Sequence, residues 1–130
     1  MDMNMKDMAA AMAGQTEDVR RTMLTDRLTL FYEMPDDERQ KSMKMMMEAV
    51  YSLPEEDTQK LVATRTAILA DFPEEKRGAL MSTHMQIVQS LSEEERNKEM
   101  QYVKEAAGGL PEPQRTTMMS ALQHMMGGGM

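Results

Sequence analysis

The sequence predicts an all-α protein, in which 19-residue single-helix repeats stack as antiparallel helical hairpins into an α-solenoid or a bundle. Three observations predict this fold: a sequence motif recurs every 19 residues, apolar residues within each copy follow helical spacing, and helix breakers separate the copies. Each copy of the motif begins with an apolar residue, and these first residues are Met34, Leu53, Phe72, Leu91 and Leu110. A weaker copy opens at Gln15, which makes six full repeats over 15–126.

The N-terminal segment 1–14 extends the same frame as a truncated repeat. Met5, Met8 and Met12 fall at positions ten, thirteen and seventeen of the repeat, which lie on one face of a helix. We therefore expect a Met-rich helix over about residues 2–13, covering the first full repeat. The whole chain, 1–130, is predicted to form one domain that ends in a flexible Gly-rich tail, 127–130.

Each full repeat predicts one helix of about 13–16 residues, joined to the next by a short connection. Position ten of the repeat is apolar in every copy, and positions thirteen or fourteen and seventeen continue the same stripe. The residues at position ten are Leu24, Met43, Val62, Met81, Met100 and Met119. This stripe is the predicted core face.

The starts and ends of the helices carry separate signals. Pro after the apolar opening is favoured in the first helical turn, and the acid that follows it complements the helix dipole. The patterns Ser52-Leu-Pro-Glu55 and Ser90-Leu-Ser-Glu93 match a capping box. Glycines at 108–109 and 127–129 predict helix ends.

Position six is Arg in five of the six repeats, with Thr58 as the exception; the arginines are Arg20, Arg39, Arg77, Arg96 and Arg115. One interpretation pairs each Arg with the acid three residues before it and uses it to cap neighbouring helices. The other is a row that contacts an acidic partner, for which the candidates are Arg39, Arg77, Arg96 and Arg115. The first interpretation is favoured because a repeat copies structural residues by default.

The repeat openings, such as Leu53-Pro54-Glu55-Glu56, resemble those in the helical-superhelix regions of magnesium transporters and flagellar switch proteins. The resemblance covers only this helix-start phrase. It implies a helical architecture and carries no function across.

Composition excludes several classes of function. The chain has 22 acids against 15 bases, so the basic footprint of a nucleic-acid-binding protein is missing. It has no Cys, which excludes disulfides, thiolate zinc sites and Cys nucleophiles. No stretch approaches the roughly 18 apolar residues of a membrane span, and no signal peptide is recognised. We expect a soluble protein of the cytoplasm or an organelle interior that is not an enzyme, because catalytic motifs are missing.

Methionine is the compositional anomaly, with 19 Met in 130 residues. Both end helices are too apolar for an outer face in water, which indicates contact with a protein partner or a second copy of the chain. The predicted contact residues are Met118, Met119, Leu122, Met125 and Met126 in the last helix and Met5, Met8 and Met12 in the first. The predicted function is therefore a non-catalytic interaction module or a small structural subunit of a larger assembly, with adaptable Met side chains as its binding surface.

The alternative function is Cu(I) binding or copper storage, since thioethers are soft ligands that select Cu(I). The Met-x-Met clusters supply the candidate ligands Met1, Met3, Met5, Met43, Met45 and Met47. No other cofactor is predicted, because His84 and His124 are not copied by the repeat. A third hypothesis, a carrier of an apolar ligand, requires a cavity between the helices.

Overall fold

The computed structural model describes residues 4–127, with side chains described as far as residue 124. This part of the chain forms seven helices and no strand, which confirms the all-α prediction. The helices are α1 (Met5–Ala13), α2 (Glu17–Glu33), α3 (Asp36–Tyr51), α4 (Glu55–Asp71), α5 (Glu74–Gln89), α6 (Glu93–Gly108) and α7 (Gln114–Gly127). From α2 to α6 the helices begin 19 residues apart, whereas α7 begins 21 residues after α6. None of these helices is long and apolar enough to cross a membrane.

The helices α1–α6 pack in two rows, because each of α1–α4 contacts the helix two places further along the chain. The first row is α1, α3 and α5, and the second is α2, α4 and α6. Helix α4 is central, since it also packs against α1, α3 and α7. It buries Leu61, Val62, Ile68 and Leu69 together with four smaller residues. This arrangement fits a helical solenoid or bundle, as the repeat predicts.

The helix starts differ in detail from the prediction. Pro35, Pro54 and Pro73 lie at the N-cap, one residue outside the first turn. The predicted capping boxes at Ser52 and Ser90 are wrong. These serines come directly after a helix, so their hydroxyls donate instead to carbonyls of the helix before them: Ser52 to Ala49 and Ser90 to Ile87, both at 2.6 Å.

A capping box does form one step later, at the start of α6. Ser92 is the N-cap residue; its hydroxyl accepts from the backbone N–H of Glu95, and the Glu95 carboxylate accepts from the backbone N–H of Ser92. The predicted glycine end at 108–109 is found at Gly109, which caps α6 in the right-handed conformation, and Gly14 caps α1 in the same way. Of the predicted tail only Gly127, the last residue of α7, lies among the described residues.

At the starts of α2–α5 the position-six residues connect each helix to the end of the preceding one. Arg20 donates to the carbonyl oxygens of Met12 (3.2 Å), Ala13 and Gln15, and pairs with Glu17 at 2.7 Å.

The same connections recur in the next repeats. Arg39 donates to the carbonyl oxygen of Phe31 at 3.0 Å and pairs with Asp36 at 2.9 Å. Thr58 performs the same task with a shorter side chain, because its hydroxyl donates to the carbonyl of Val50, again eight residues earlier, at 2.7 Å. This is the geometry of the capping interpretation.

Position ten is buried in α2, α4 and α5 and half-buried in α3 and α6, but it is exposed in α7. Leu24, Val62 and Met81 are buried, as position ten predicts. In α7 the position-ten residue Met119 is 45% exposed, whereas its neighbour Met118 is 1% exposed. The predicted core role of Met119 is therefore wrong. The buried face of α7 is therefore rotated by one residue, from position ten to position nine, which is also buried as Glu99 in α6.

Candidate functional site

A groove lies between α5 and α7, and we call it the C-terminal groove. In the first row α3 follows α1 and α5 follows α3, so a regular stack would place α7 beside α5. Instead α7 packs against α4 and α6 and makes little or no contact with α5. The described part of the chain therefore leaves one side of α5 uncovered, and an open groove of about 580 Å³ takes the place of the next helix.

Helix α7 lines this groove mostly with short side chains, and α5 lines it with Gly78 among three longer residues. The lining residues are Glu74, Arg77, Gly78 and Met81 of α5 and Thr116, Thr117, Ser120, Ala121 and His124 of α7. Short side chains allow a second helical backbone to approach closely, whereas long ones hold helices 8–10 Å apart or more. The shape and lining of the groove thus suit a further helix.

Gly78 is the most informative residue of the groove. It lies inside α5, where Gly destabilises a helix by about 1 kcal/mol relative to Ala. A Cβ atom added at Gly78 would meet no atom within 4 Å, so packing within the described residues does not require Gly at this position. A close neighbour from outside the chain would explain why a side chain is missing here.

Glu74 and Arg77 give the α5 side of the groove one charge of each sign. The guanidinium of Arg77 donates to the carbonyl oxygens of Leu69 (3.5 Å) and Phe72 (2.7 Å), as the position-six arginines do elsewhere. Unlike Arg20 and Arg39, it forms no ion pair with the acid three residues earlier, Glu74. The charge of Arg77 is therefore available to a carboxylate that enters the groove.

The second polar feature is a buried cluster of Tyr51, Arg65, His84 and Glu99, which we call the ion cluster. It joins α3, α4, α5 and α6. Glu99 is 0% exposed, and its carboxylate accepts from Arg65 Nη2 at 3.0 Å, from His84 Nε2 at 2.7 Å and from the hydroxyl of Tyr51. Both carboxylate oxygens are thus engaged, so the cluster holds four helices together and offers no free general base.

The environment shifts the pKa values of this region in opposite directions. Burial alone would raise the pKa of Glu99, but the charge of Arg65 and the hydrogen bonds from His84 and Tyr51 outweigh it and hold that pKa well below its usual range. Burial and the negative charge of Glu99 hold the pKa of Tyr51 far above its usual value of 10. Glu99 is therefore ionised and Tyr51 is neutral at ordinary pH.

Tyr102 extends the ion cluster toward the start of α4. Its ring stacks on that of Tyr51, with centroids 6.1 Å apart and planes 5° apart. Its hydroxyl donates to Glu55 at 2.9 Å, and burial together with this hydrogen bond raises the pKa of Tyr102 to about 12. A second carboxylate is thereby satisfied by a tyrosine.

Two small interior cavities adjoin the ion cluster, and Arg65 and His84 line both. One, of about 50 Å³, is lined by Met43, Met46 and Met47 among other residues. The other, of about 40 Å³, is lined by Met43, Met81 and Met118. Both are far smaller than the 300–1,000 Å³ of typical sites for drug-sized ligands. These volumes do not favour the hypothesis of an apolar-ligand carrier.

The residues predicted for partner contact are distributed between core and surface. Met12, Met118 and Leu122 are buried inside the chain, and Met5 and Met8 are half-buried against the same core. Met119 is exposed, and the side chains of Met125 and Met126 lie outside the described residues. Among the arginines, Arg39 and Arg77 cap helices, Arg96 is half-buried and Arg115 is exposed. A contact between these residues and a partner stays a prediction.

The predicted copper ligands are not all brought together. Met43 and Met47 line one cavity, but Met45 is 49% exposed, because residues two apart on a helix point in nearly opposite directions. Met1 and Met3 lie outside the described residues, and Met5 belongs to α1. The Met-x-Met spacing therefore does not describe one site within α3.

Sequence analysis missed both Gly78 and Glu99. Glu99 stands at position nine of the repeat, where the other copies carry Met23, Ser42, Leu61, Leu80 and Met118. An acid at this mostly apolar position was the available signal. Gly78 was visible as a helix breaker inside a predicted helix, but its role depends on the displacement of α7, for which the repeat gives no signal.

Comparison with protein families, with characterised proteins and with solved structures finds no match for this chain. Among the described residues, no group of three or more His, Cys, Asp or Glu side chains could hold a metal ion.

Proposed function

We propose that this protein is a non-catalytic interaction module, and that its C-terminal groove binds a helix of a protein partner. Gly78 is the observation that carries the proposal, because it weakens α5 and the isolated chain does not need it. A partner helix that lies against the backbone of α5 does need it. The mode of binding is the insertion of an amphipathic helix into a groove.

The geometry of the two rows defines the occupant further. A helix beside α5 would continue the row of α1, α3 and α5, so it would meet a surface built for helix packing. Small residues on its inner face would match Gly78, Ser120 and Ala121. An acidic residue near its end would pair with Arg77. A second copy of this chain is a poorer occupant, because each copy carries a net charge of −7.

The first experiment is the native size of the protein in a gentle extract of its source, with mass spectrometry of the proteins that comigrate. We expect migration in a complex much larger than 14.8 kDa. Migration as a free monomer would contradict the proposal. A purified chain that forms a dimer without another protein would instead identify a second copy as the occupant.

The second experiment tests whether the partner binds in the groove. A photo-crosslinking amino acid at Ser120 should capture the partner, whereas the same amino acid at Gln101, an exposed residue of α6, should not. Gly78→Leu should abolish the complex while the chain stays folded, because Leu favours the helix and its Cβ meets open space. Gly108→Leu, at the far end of α6, is the matched control and should leave the complex intact. Equal effects of the two glycine variants would contradict the groove.

A further inference from the structure

We infer that the smaller interior cavity is a binding site for a single Cu(I) ion, with the thioethers of Met43, Met81 and Met118 and the imidazole of His84 as its ligands. We call it the Met–His cavity. The four side chains come from α3, α5 and α7 and line the same space of about 40 Å³. One water molecule needs only roughly 10–15 Å³ of such volume, so the space admits an ion.

The donor atoms select a soft ion. Thioether sulfur and imidazole nitrogen are ligands of Cu(I), whereas Mg²⁺, Ca²⁺ and Mn²⁺ require carboxylate or carbonyl oxygens. The oxygens near this cavity are already engaged. Both carboxylate oxygens of Glu99 accept hydrogen bonds, and the hydroxyl of Thr66 donates to the carbonyl of Val62 at 2.8 Å.

His84 has the carboxylate partner that a metal-bound histidine usually has. Its Nε2 lies 2.7 Å from Glu99, which also accepts from Arg65 and Tyr51, so Nε2 is the donor of this contact. A neutral ring that donates through Nε2 keeps its lone pair on Nδ1. Histidines that bind metals characteristically donate their other N–H to a carboxylate in this way.

The local charges favour a monovalent ion over a divalent one. Arg65 also lines the cavity, but Glu99 neutralises it at 3.0 Å. The four proposed ligands are neutral, and the remaining lining is apolar apart from Thr66. In such a medium each uncompensated charge is costly, so Cu(I) is accepted more readily than Cu²⁺ or Zn²⁺.

This site differs from the one that Met-x-Met spacing predicts. It uses Met43 but neither Met45 nor Met47, and it adds Met81 and Met118, which lie 38 and 75 residues further along the chain. Met81 and Met118 belong to α5 and α7, the two helices that border the C-terminal groove. The inference does not depend on a partner in that groove.

The test is a Cu(I) titration of the whole chain in anaerobic buffer, with bicinchoninate as the competing chelator. We expect one tightly bound ion per chain. The variant Met43→Leu/Met81→Leu/Met118→Leu should lose at least about tenfold in affinity, because Leu matches Met in volume but offers no ligand. His84→Gln should weaken binding in the same direction.

The matched control is Met12→Leu/Met45→Leu/Met119→Leu. It removes the same number of thioethers, also from α3 and α7, but from positions outside the cavity. Its affinity should equal that of the unchanged chain. Equal losses in both triple variants, or a loss confined to Met3→Leu/Met5→Leu, would overturn the assignment in favour of non-specific or N-terminal thioether binding.

A second measurement needs no variant and guards against misfolding. Methyl-labelled Met in the unchanged chain should report Ag(I), a stable substitute for Cu(I), through shifts of the methyl resonances of Met43, Met81 and Met118. The resonance of Met45 should stay in place. Shifts at Met45 and Met119 with none at the proposed ligands would refute the site.

Discussion

The stacked helices α1–α6 and the C-terminal helix α7 share the same 19-residue sequence repeat, yet they pack differently. The position-six residue shows the difference most clearly. Arg20 is the fourth residue of α2 and reaches back to the end of α1, whereas Arg115 is the second residue of α7 and is exposed. The connection before α7 runs over 109–113, which is longer than the two or three residues elsewhere. A repeat therefore fixes where a helix forms, while the connection decides which neighbours it meets.

The largest effect should come from the ion cluster, which belongs to the stacked helices alone. Glu99→Gln leaves the half-buried Arg65 without its counter-charge, and breaking a buried ion pair costs about 3–5 kcal/mol. Chemical denaturation measures this loss. Arg65→Met/Glu99→Leu should recover part of it, since neither charge remains. A double variant no more stable than Glu99→Gln would contradict this explanation.

Acid should weaken the same region through the same residue. The pKa of Glu99 is lower in the folded chain than the ordinary value of 4.5, so its ionised form stabilises the fold above that pH. This contribution is lost as the pH falls below 4.5 toward the lowered pKa of the folded chain. Denaturation at a series of pH values should show a steeper acid loss for the unchanged chain than for Glu99→Gln. Parallel curves would refute the assignment of the lowered pKa to Glu99.

The rotated face of α7 gives the next largest effect. Met118→Ala should cost about 2–5 kcal/mol, the usual loss for a fully buried methionine, because Met118 fills the core against α4 and α6. Met119→Ala should cost under about 0.5 kcal/mol, as expected for an exposed site. Thermal unfolding of the two neighbouring variants compares them directly. A larger loss for Met119→Ala than for Met118→Ala would mean that α7 buries position ten, as the repeat predicts.

The stability that the position-six arginine provides should also differ between the stacked helices and α7, but by a smaller amount. Arg20→Met removes three hydrogen bonds to carbonyls at the end of α1, and we expect a loss of about 1–3 kcal/mol. Arg115→Met removes an exposed ion pair, in which Arg115 lies 3.8 Å from Glu112. An exposed ion pair of this kind contributes under about 1 kcal/mol to stability. Urea denaturation of both variants tests the contrast. Similar losses would mean that the arginine caps contribute little to stability.

The smallest effect has the opposite sign. Gly78→Ala should stabilise the isolated chain by about 0.5–1 kcal/mol, because Ala favours a helix and the added Cβ meets open space. The melting temperature of the purified protein measures this gain. A loss of stability would show that α5 needs Gly78 for its own packing, which would remove the main support for the groove.

The sequence was sufficient for the helices and insufficient for their final arrangement. Local signals such as the acid after each Pro predicted the starts of α2–α6 to within one or two residues. The displacement of α7 follows from a longer connection and from packing against α4, which are tertiary effects. The contact between Tyr51 and Glu99 joins residues 48 positions apart and occurs only once among the described residues. The 19-residue repeat therefore could not predict it.

The ion cluster also limits how this chain could grow or shrink during evolution. Repeat proteins change length by gaining or losing whole repeats, because each unit contacts only its neighbours. Here four successive helices share one unrepeated carboxylate, so a pair of helices inserted between α3 and α6 would separate Glu99 from its partners. Additions before α1 or after α7 leave that contact intact. The modular stack thereby contains a central segment, α3–α6, in which one shared carboxylate fixes the number of helices.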